Sequence, residues 1–181
     1  QAGFIVPSSV GSITIDGCDL TSQITFNAVS SGATVTIKNT QVNKIVFQTA
    51  LTNVIINIES VTIAPSSTVG LWFSQDLTNS PVSITTTSIT NSNPTLDHLV
   101  LFGKPLINSP VTITASSIVS SVTTGTHNCI MFASTVTDSA VTITNSVLTH
   151  YYVGIWATQI WTRSPFVLNG GSSITARYSL I

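Results

Sequence analysis

Asp16, Asp19, Glu59, Asp76, Asp97 and Asp138 are the six carboxylates of this 181-residue chain, and acid–base chemistry would have to start from them. Cleaving a polysaccharide takes two carboxylates at a set separation, or several around a cation, with an Arg or Lys toward the substrate. The spacing here does not supply that. Asp16 and Asp19 fall in one copy of a repeat defined below, with Lys38 in the next, and Asp76 and Asp138 lie two copies apart. No two carboxylates occupy matching positions in neighbouring copies, so they read as solvated charges and the chain as non-catalytic.

His98, His127 and His150 each precede an apolar segment, HLVLF, HNCIMF and HYYVGIW. In a coiled repeat this would set three imidazoles along one edge, with Asp97, Tyr151 and Tyr152 beside them, a donor set for zinc or copper. The segments before the histidines differ in length, which works against convergence. Whether the three meet is open from sequence alone. The expectation is exposed histidines, with no metal and no cofactor.

Two further constellations concern binding. Trp72 and Trp156 stand at matching places in VGLWF and VGIWA, and with Tyr151 and Tyr152 they are candidates for stacking on sugar rings or on a partner chain. Ser83 and Thr85, Thr112 and Thr114, and Thr142 and Thr144 form three hydroxyl pairs of the pattern S/T-x-T. Rows of that kind resemble the ice-binding face of insect-type antifreeze solenoids. Neighbouring copies break the row with Thr14/Asp16, Thr36/Lys38 and Asn57/Glu59, and threonine is also a favoured residue on any exposed strand.

The elements that must position these residues come from a repeat. VSITTTSI from Val82, VTITASSI from Val111 and VTITNSVL from Val141 are its clearest copies; the others begin at Ile13, Val35, Ile56 and Phe166. The starts are 22, 21, 26, 29, 30 and 25 residues apart, the range of a solenoid turn. Ile15, Ile37, Ile58, Ile84, Ile113, Ile143 and Leu168 follow the starts by two, so each copy opens with a β-strand buried on one face. Gly17, Asn39, Ser60, Thr86, Ala115, Asn145 and Gly170 then mark a corner, with Asn39 and Asn145 able to join a side-chain ladder. Beyond it Leu20, Val42, Ile63, Ile89, Ile118 and Leu148 turn inward, a column that Ser173 breaks.

A second strand follows at variable distance, as ITF, IVF, VGLWF, LVLF, CIMF and VGIW, with Phe73, Phe102 and Phe132 in one internal stack. Ser-Pro or Ser-Ala closes the later copies at Ser80, Ser109, Ser139 and Ser164, placing proline at a strand entrance. The fold expected over residues 1–181 is one all-β domain, a right-handed parallel β-helix (β-solenoid) of about seven turns, standing alone or as a segment of a longer chain. A sandwich would need hairpin turns every 8–12 residues. Asp16-Gly17 and Asn169-Gly170 are the Asp-Gly and Asn-Gly pairs, and both fall at the same corner of the repeat.

This VTIxNSxL-type coil with Ser-Pro between turns resembles the pectin-lyase-like right-handed parallel β-helix superfamily. Its Ser/Thr-rich, charge-poor form is similar to the repetitive β-helix surface proteins of kinetoplastid protozoa and to bacterial β-helix adhesins. The resemblance implies an extracellular scaffold or adhesive shaft at the cell surface.

Composition points the same way. Lys, Arg, Asp and Glu make 6% of the chain, against roughly 25% in an ordinary globular protein, while 55 residues are Ser or Thr. That excludes the dense cationic footprint of a nucleic-acid binder. A net charge of −1 offers no pull toward an anionic membrane, and no apolar run reaches the ~20 residues of a spanning helix. No N-x-S/T acceptor occurs, so any glycan would be O-linked. Cys18 and Cys129 lie four copies apart, roughly 19 Å at ~4.8 Å per rung, beyond disulfide reach. The apolar terminal stretches QAGFIVP and RYSLI lack an amphipathic cap, and they suggest a longer array or end-to-end strand addition into a filament.

The chain is therefore expected to be a non-catalytic structural or adhesive solenoid that associates with itself or with neighbouring surface proteins. A carbohydrate-binding or carbohydrate-degrading β-helix is the alternative, and ice binding through the Thr array is third.

Overall fold

The computed structural model describes residues 4–6, 11–65, 69–93, 98–123 and 128–178; Asp97 and His127 lie outside them. Every described strand pairing is parallel, and three sheets form the walls of a solenoid of about six turns. The first wall has seven strands: Ile13–Asp16, Thr34–Lys38, Ile55–Glu59, Val82–Thr85, Val111–Thr114, Val141–Thr144 and Phe166–Asn169. Seven stacked strands enclose six full turns, which is why counting repeats overstates the turns by one.

Register in this wall follows the hydrophobic alternation. Ile13, Val35, Ile56, Val82, Val111, Val141 and Phe166 are consecutive partners, and the Ile15-to-Leu168 column follows two residues on. A slip of one residue would put every Ile and Val on the solvent face, so the alternation pins the register.

All seven predicted corner residues adopt left-handed backbone, with φ between 48° and 65°. The last corner carries one residue more, Gly171. In consequence Ile174, and not Ser173, continues the inward column by pairing with Leu148, and Ser173 lies beside Val147.

The second wall has twelve strands and is bent into two legs. Asp19–Phe26 and Gln41–Phe47 run through both, with a register shift between Leu20 and Gln23. From the third rung the legs separate. Thr62–Ile63 pairs with Gln41–Val42, and Val69–Phe73 pairs with Ile45–Phe47 of the same strand. Above them stack Ser88–Asn91, Ser117–Ser120, Val147–Thr149 and Ser173–Thr175 on the first leg, and His98–Phe102, Asn128–Phe132 and Val153–Ala157 on the second. The segments between the two legs differ in length from rung to rung and so absorb the variable repeat length. The wall also turns sharply there, and Gly70 permits it: a Cβ would lie 2.9 Å from the Leu99 carbonyl oxygen and 3.3 Å from Ile89 Cγ2.

The third wall consists of five two-residue strands, Leu51–Thr52, Leu77–Thr78, Leu106–Ile107, Val136–Thr137 and Trp161–Thr162. Each ends in a second left-handed corner, at Asn53, Asn79, Asn108, Asp138 and Arg163, with φ between 48° and 56°. The asparagine ladder is here. Asn79 Nδ2 donates to Asn53 Oδ1 at 3.1 Å, and Asn108 Nδ2 to Asn79 Oδ1 at 2.8 Å. Asn39 and Asn145 share no ladder. Asn39 donates to Asp16, and Asn145 accepts from the Gly171 amide, because Ser60, Thr86 and Ala115 separate them along the corner.

The interior is built from columns of identical chemistry. Phe26, Phe47, Phe73, Phe102 and Phe132 stack with ring centroids 4.6, 4.9, 4.9 and 4.9 Å apart, the rung spacing itself. The stack thus extends two rings beyond the three visible as an aligned motif. At the sixth rung Ala157 takes the phenylalanine position and Trp161 meets Phe132 edge-on at 5.1 Å.

Two hydroxyl columns are also interior, which corrects the reading of serine and threonine as surface residues. At the second corner the Val54, Ser80, Ser109 and Ser139 amides donate to the hydroxyls of Ser80, Ser109, Ser139 and Ser164 on the next rung, at 2.8–3.0 Å. At the first corner the Thr87, Ser116 and Ser146 amides donate to Ser116, Ser146 and Ser172 in the same way. Each hydroxyl donates back to the carbonyl two residues earlier, as Ser109 does to Ile107 at 2.9 Å, except that Ser172, past the extra Gly171, reaches Asn169 three residues earlier. Where the chain turns, an amide loses its ladder carbonyl, and a buried N–H left unpaired costs about 1–3 kcal/mol. The hydroxyl one rung away replaces the missing acceptor, so serine recurs before the proline for a structural reason.

Candidate functional surfaces

With the interior filled, any binding chemistry lies on the walls and at the bend. Three places gather the residues singled out from sequence.

The first is the outer face of the second leg. Trp72, Leu101, Met131 and Trp156 are consecutive partners in register, so the two indoles share one outward column three rungs apart. Trp156 is 38% exposed, and Trp72, Leu101 and Met131 are half-buried. Trp72 leans along the wall: a Cβ on Gly103 would lie 3.3 Å from its Nε1. Lys44 sits over the Trp72 ring, 5.1 Å from its centroid, and burial holds its amine below the ordinary lysine range. Tyr151 and Tyr152 do not join this column. They stand on the loop at the bend, where Tyr152 meets Tyr178 edge-on at 5.3 Å.

The second is the hydroxyl face of the first wall. Ser83, Thr112 and Thr142 form one outward column and Thr85, Thr114 and Thr144 the other, in unbroken register. Thr112 is exposed, the other five are half-buried, and the Ser83 and Thr85 hydroxyls lie 3.3 Å apart. Asn57 and Glu59 follow on one side of the block, Val167 and Asn169 on the other.

The third was not legible from sequence. Along the bend lie two adjoining hollows that share Ser121. One of about 310 Å³ is lined by Thr90, Ser92 and Val119 among others. The other, of about 480 Å³, is lined by Thr123, Thr149, His150, Tyr151 and Arg177 among others. Arg177 also lies over the Tyr178 ring, 5.5 Å from its centroid.

Register separates the histidines. His98 faces Asn128 in the next strand, with its Nδ1 3.2 Å from Asn128 Nδ2. His150 follows the registered pair Val119–Thr149 by one residue and so continues the Ser120 column on the first leg, with its Nδ1 accepting from the Tyr152 amide at 3.1 Å. Among the described residues no group of three or more His, Cys, Asp or Glu side chains stands close enough to share a metal ion.

Two of the carboxylates, Asp16 and Asp138, take part in ion pairs along the corners. Asp16 accepts from Asn39 and lies 3.2 Å from Lys38 Nζ, and these two partners hold its carboxyl below the usual range. Lys38 stands in register between Asp16 and Glu59 and keeps the two acids apart. Asp138 receives a two-pronged contact from the Arg163 guanidinium, which lowers the Asp138 carboxyl and raises the Arg163 group. Cys18 and Cys129 are free thiols, and burial pushes the Cys129 thiol well up. Comparison with protein-family models, with curated proteins and with solved structures gives no match for this chain.

Proposed function

We propose that the protein is a non-catalytic structural or adhesive β-solenoid, a rigid shaft at the cell surface or outside the cell that contacts neighbours through its walls. The observation that carries this reading is the continuity of the interior: one apolar core, a five-ring phenylalanine stack and two hydroxyl ladders run along the axis. The outer faces of this stack are regular, hydroxyl-rich and nearly uncharged among the described residues. The likeness to the pectin-lyase-like superfamily and to repetitive surface adhesins belongs to this proposal.

A carbohydrate-binding role is the second reading, favoured by the hollows at the bend. Hydroxyls line both hollows, and the exposed Tyr151 ring and Arg177 line the second. The version of this reading that places Trp72, Trp156 and acidic residues in one groove fits less well, since the indoles stand on a flat wall. Ice binding through Ser83, Thr85, Thr112, Thr114, Thr142 and Thr144 rests on only three clean rungs.

The test is incubation with neutral and acidic polysaccharides, read for binding and for new chain ends, with electron microscopy of the purified protein. Rods without cleavage or binding support the shaft. Binding without cleavage moves the protein to the second reading, and cleavage overturns both non-catalytic readings.

A further inference from the structure

The outward column of the second leg is an apolar feature among the described residues that the shaft reading leaves unused. Its order along the axis is Trp72, Leu101, Met131, Trp156: aromatic, aliphatic, aliphatic, aromatic. Beside it runs a column of small uncharged residues, Ser74, Gly103, Ala133 and Thr158, whose amides hydrogen-bond to the Phe47, Phe73, Phe102 and Phe132 carbonyls of the rung below. No charged side chain interrupts either column on these four rungs. The nearby cations, Lys44 beneath Trp72 and Lys104 just past Gly103, stand at the rim.

We propose that this face pairs with the same face of a second copy of the chain, with the two solenoids antiparallel. A symmetric dimer needs a surface complementary to itself, in which residue i meets j and j meets i. A two-fold axis along the strand direction, between the Leu101 and Met131 rungs, satisfies this. It brings each Trp72 against the partner's Trp156 and each Leu101 against the partner's Met131. It also sets Lys104 opposite the partner's Ser134 and brings no like charges together. A small partner of other chemistry has no reason to match an order that reads the same in both directions, but a second copy does.

Four rungs of a five-residue strand present about 300 Å² of wall per copy, at ~4.8 Å between rungs and ~3.3 Å per residue. Standard interfaces bury about 800 Å² per partner, so this contact falls in the weak, transient class. The pairing goes beyond the shaft reading and does not depend on it, because a chain that bound or cleaved sugars would show the same dimer.

Sedimentation equilibrium from micromolar to millimolar protein, with Trp156 emission recorded alongside, tests it. The wild-type chain is expected to show a monomer–dimer equilibrium with a blue shift on association. Leu101→Glu and Met131→Lys are each expected to weaken the dimer at least tenfold while leaving the far-ultraviolet circular dichroism unchanged. Thr112→Lys, on the first wall, is expected to leave association untouched. An equimolar mixture of the Leu101→Glu and Met131→Lys chains is expected to recover the dimer, since the antiparallel arrangement puts the two new charges opposite each other. A monomer at all concentrations overturns the proposal. So does association that survives both charge substitutions, or a mixture that stays monomeric while the wild-type chain pairs.

Discussion

Ser109→Ala deletes one hydroxyl from the middle of the second-corner ladder and tests whether that ladder stabilises the coil. Ser109 is wholly buried, and its Oγ accepts from the Ser80 amide at 3.0 Å while donating to the Ile107 carbonyl at 2.9 Å. The Ile107 oxygen keeps a second donor, the Asn79 amide at 2.9 Å. What the substitution strands is the amide N–H of Ser80, a residue that is itself wholly buried. A buried donor left unpaired costs about 1–3 kcal/mol. For a chain of this size 1 kcal/mol moves the melting temperature by about 2–4 °C, so Ser109→Ala is expected to melt about 2–12 °C lower. Ser173→Ala, the same chemical change at an exposed outward position, is expected within about 0.5 kcal/mol of wild type. Thermal unfolding followed by circular dichroism and calorimetry reads both. Equal melting temperatures for the two variants would refute the ladder argument.

Other outcomes follow from the corners and the thiols. Thr86 is exposed with φ of 50°, a backbone that costs a residue with a Cβ about 1–2 kcal/mol, whereas glycine there costs only about 0.5–1 kcal/mol of entropy. Thr86→Gly is therefore expected to raise the melting temperature by up to about 6 °C, and a fall would show that the corner is unstrained. A colorimetric thiol assay is expected to count one reactive cysteine, Cys18, in the native protein and both after unfolding, because Cys129 is buried and its thiol stays protonated. Arg163→Gln is expected to raise the Asp138 carboxyl toward the ordinary value near 3.9, seen by side-chain carbon NMR titration. Since Asp138 is lowered in the folded chain, its pair with Arg163 stabilises above that ordinary value. The contribution is lost as pH falls through the lowered one, and the variant should lack this acid-side dependence.

Much of this architecture is written locally in the chain. Alternation of Ile and Val with polar residues, repeated every 21 to 30 positions, determines a strand, its buried face and its register with the next turn, because a slip of one residue would expose the whole apolar set. The corner residues are equally local, since Gly and Asn tolerate left-handed backbone. Other features depend on groups that meet only when turns stack. Ser109 looks like a surface serine until Ser139 and Ser80 lie above and below it, 30 and 29 residues away in sequence. Phe26 and Phe47 enter the ring stack only once the loops at the bend are taken out of the count. The same loops defeat the histidine alignment and place Tyr151 in a hollow no motif announces. Side-chain type and period are carried by the sequence because they act within a few residues. The order Trp72, Leu101, Met131, Trp156 on one wall belongs to the tertiary structure, because these residues lie 25 to 30 positions apart in sequence and only hydrogen bonds between rungs set the four side chains in line.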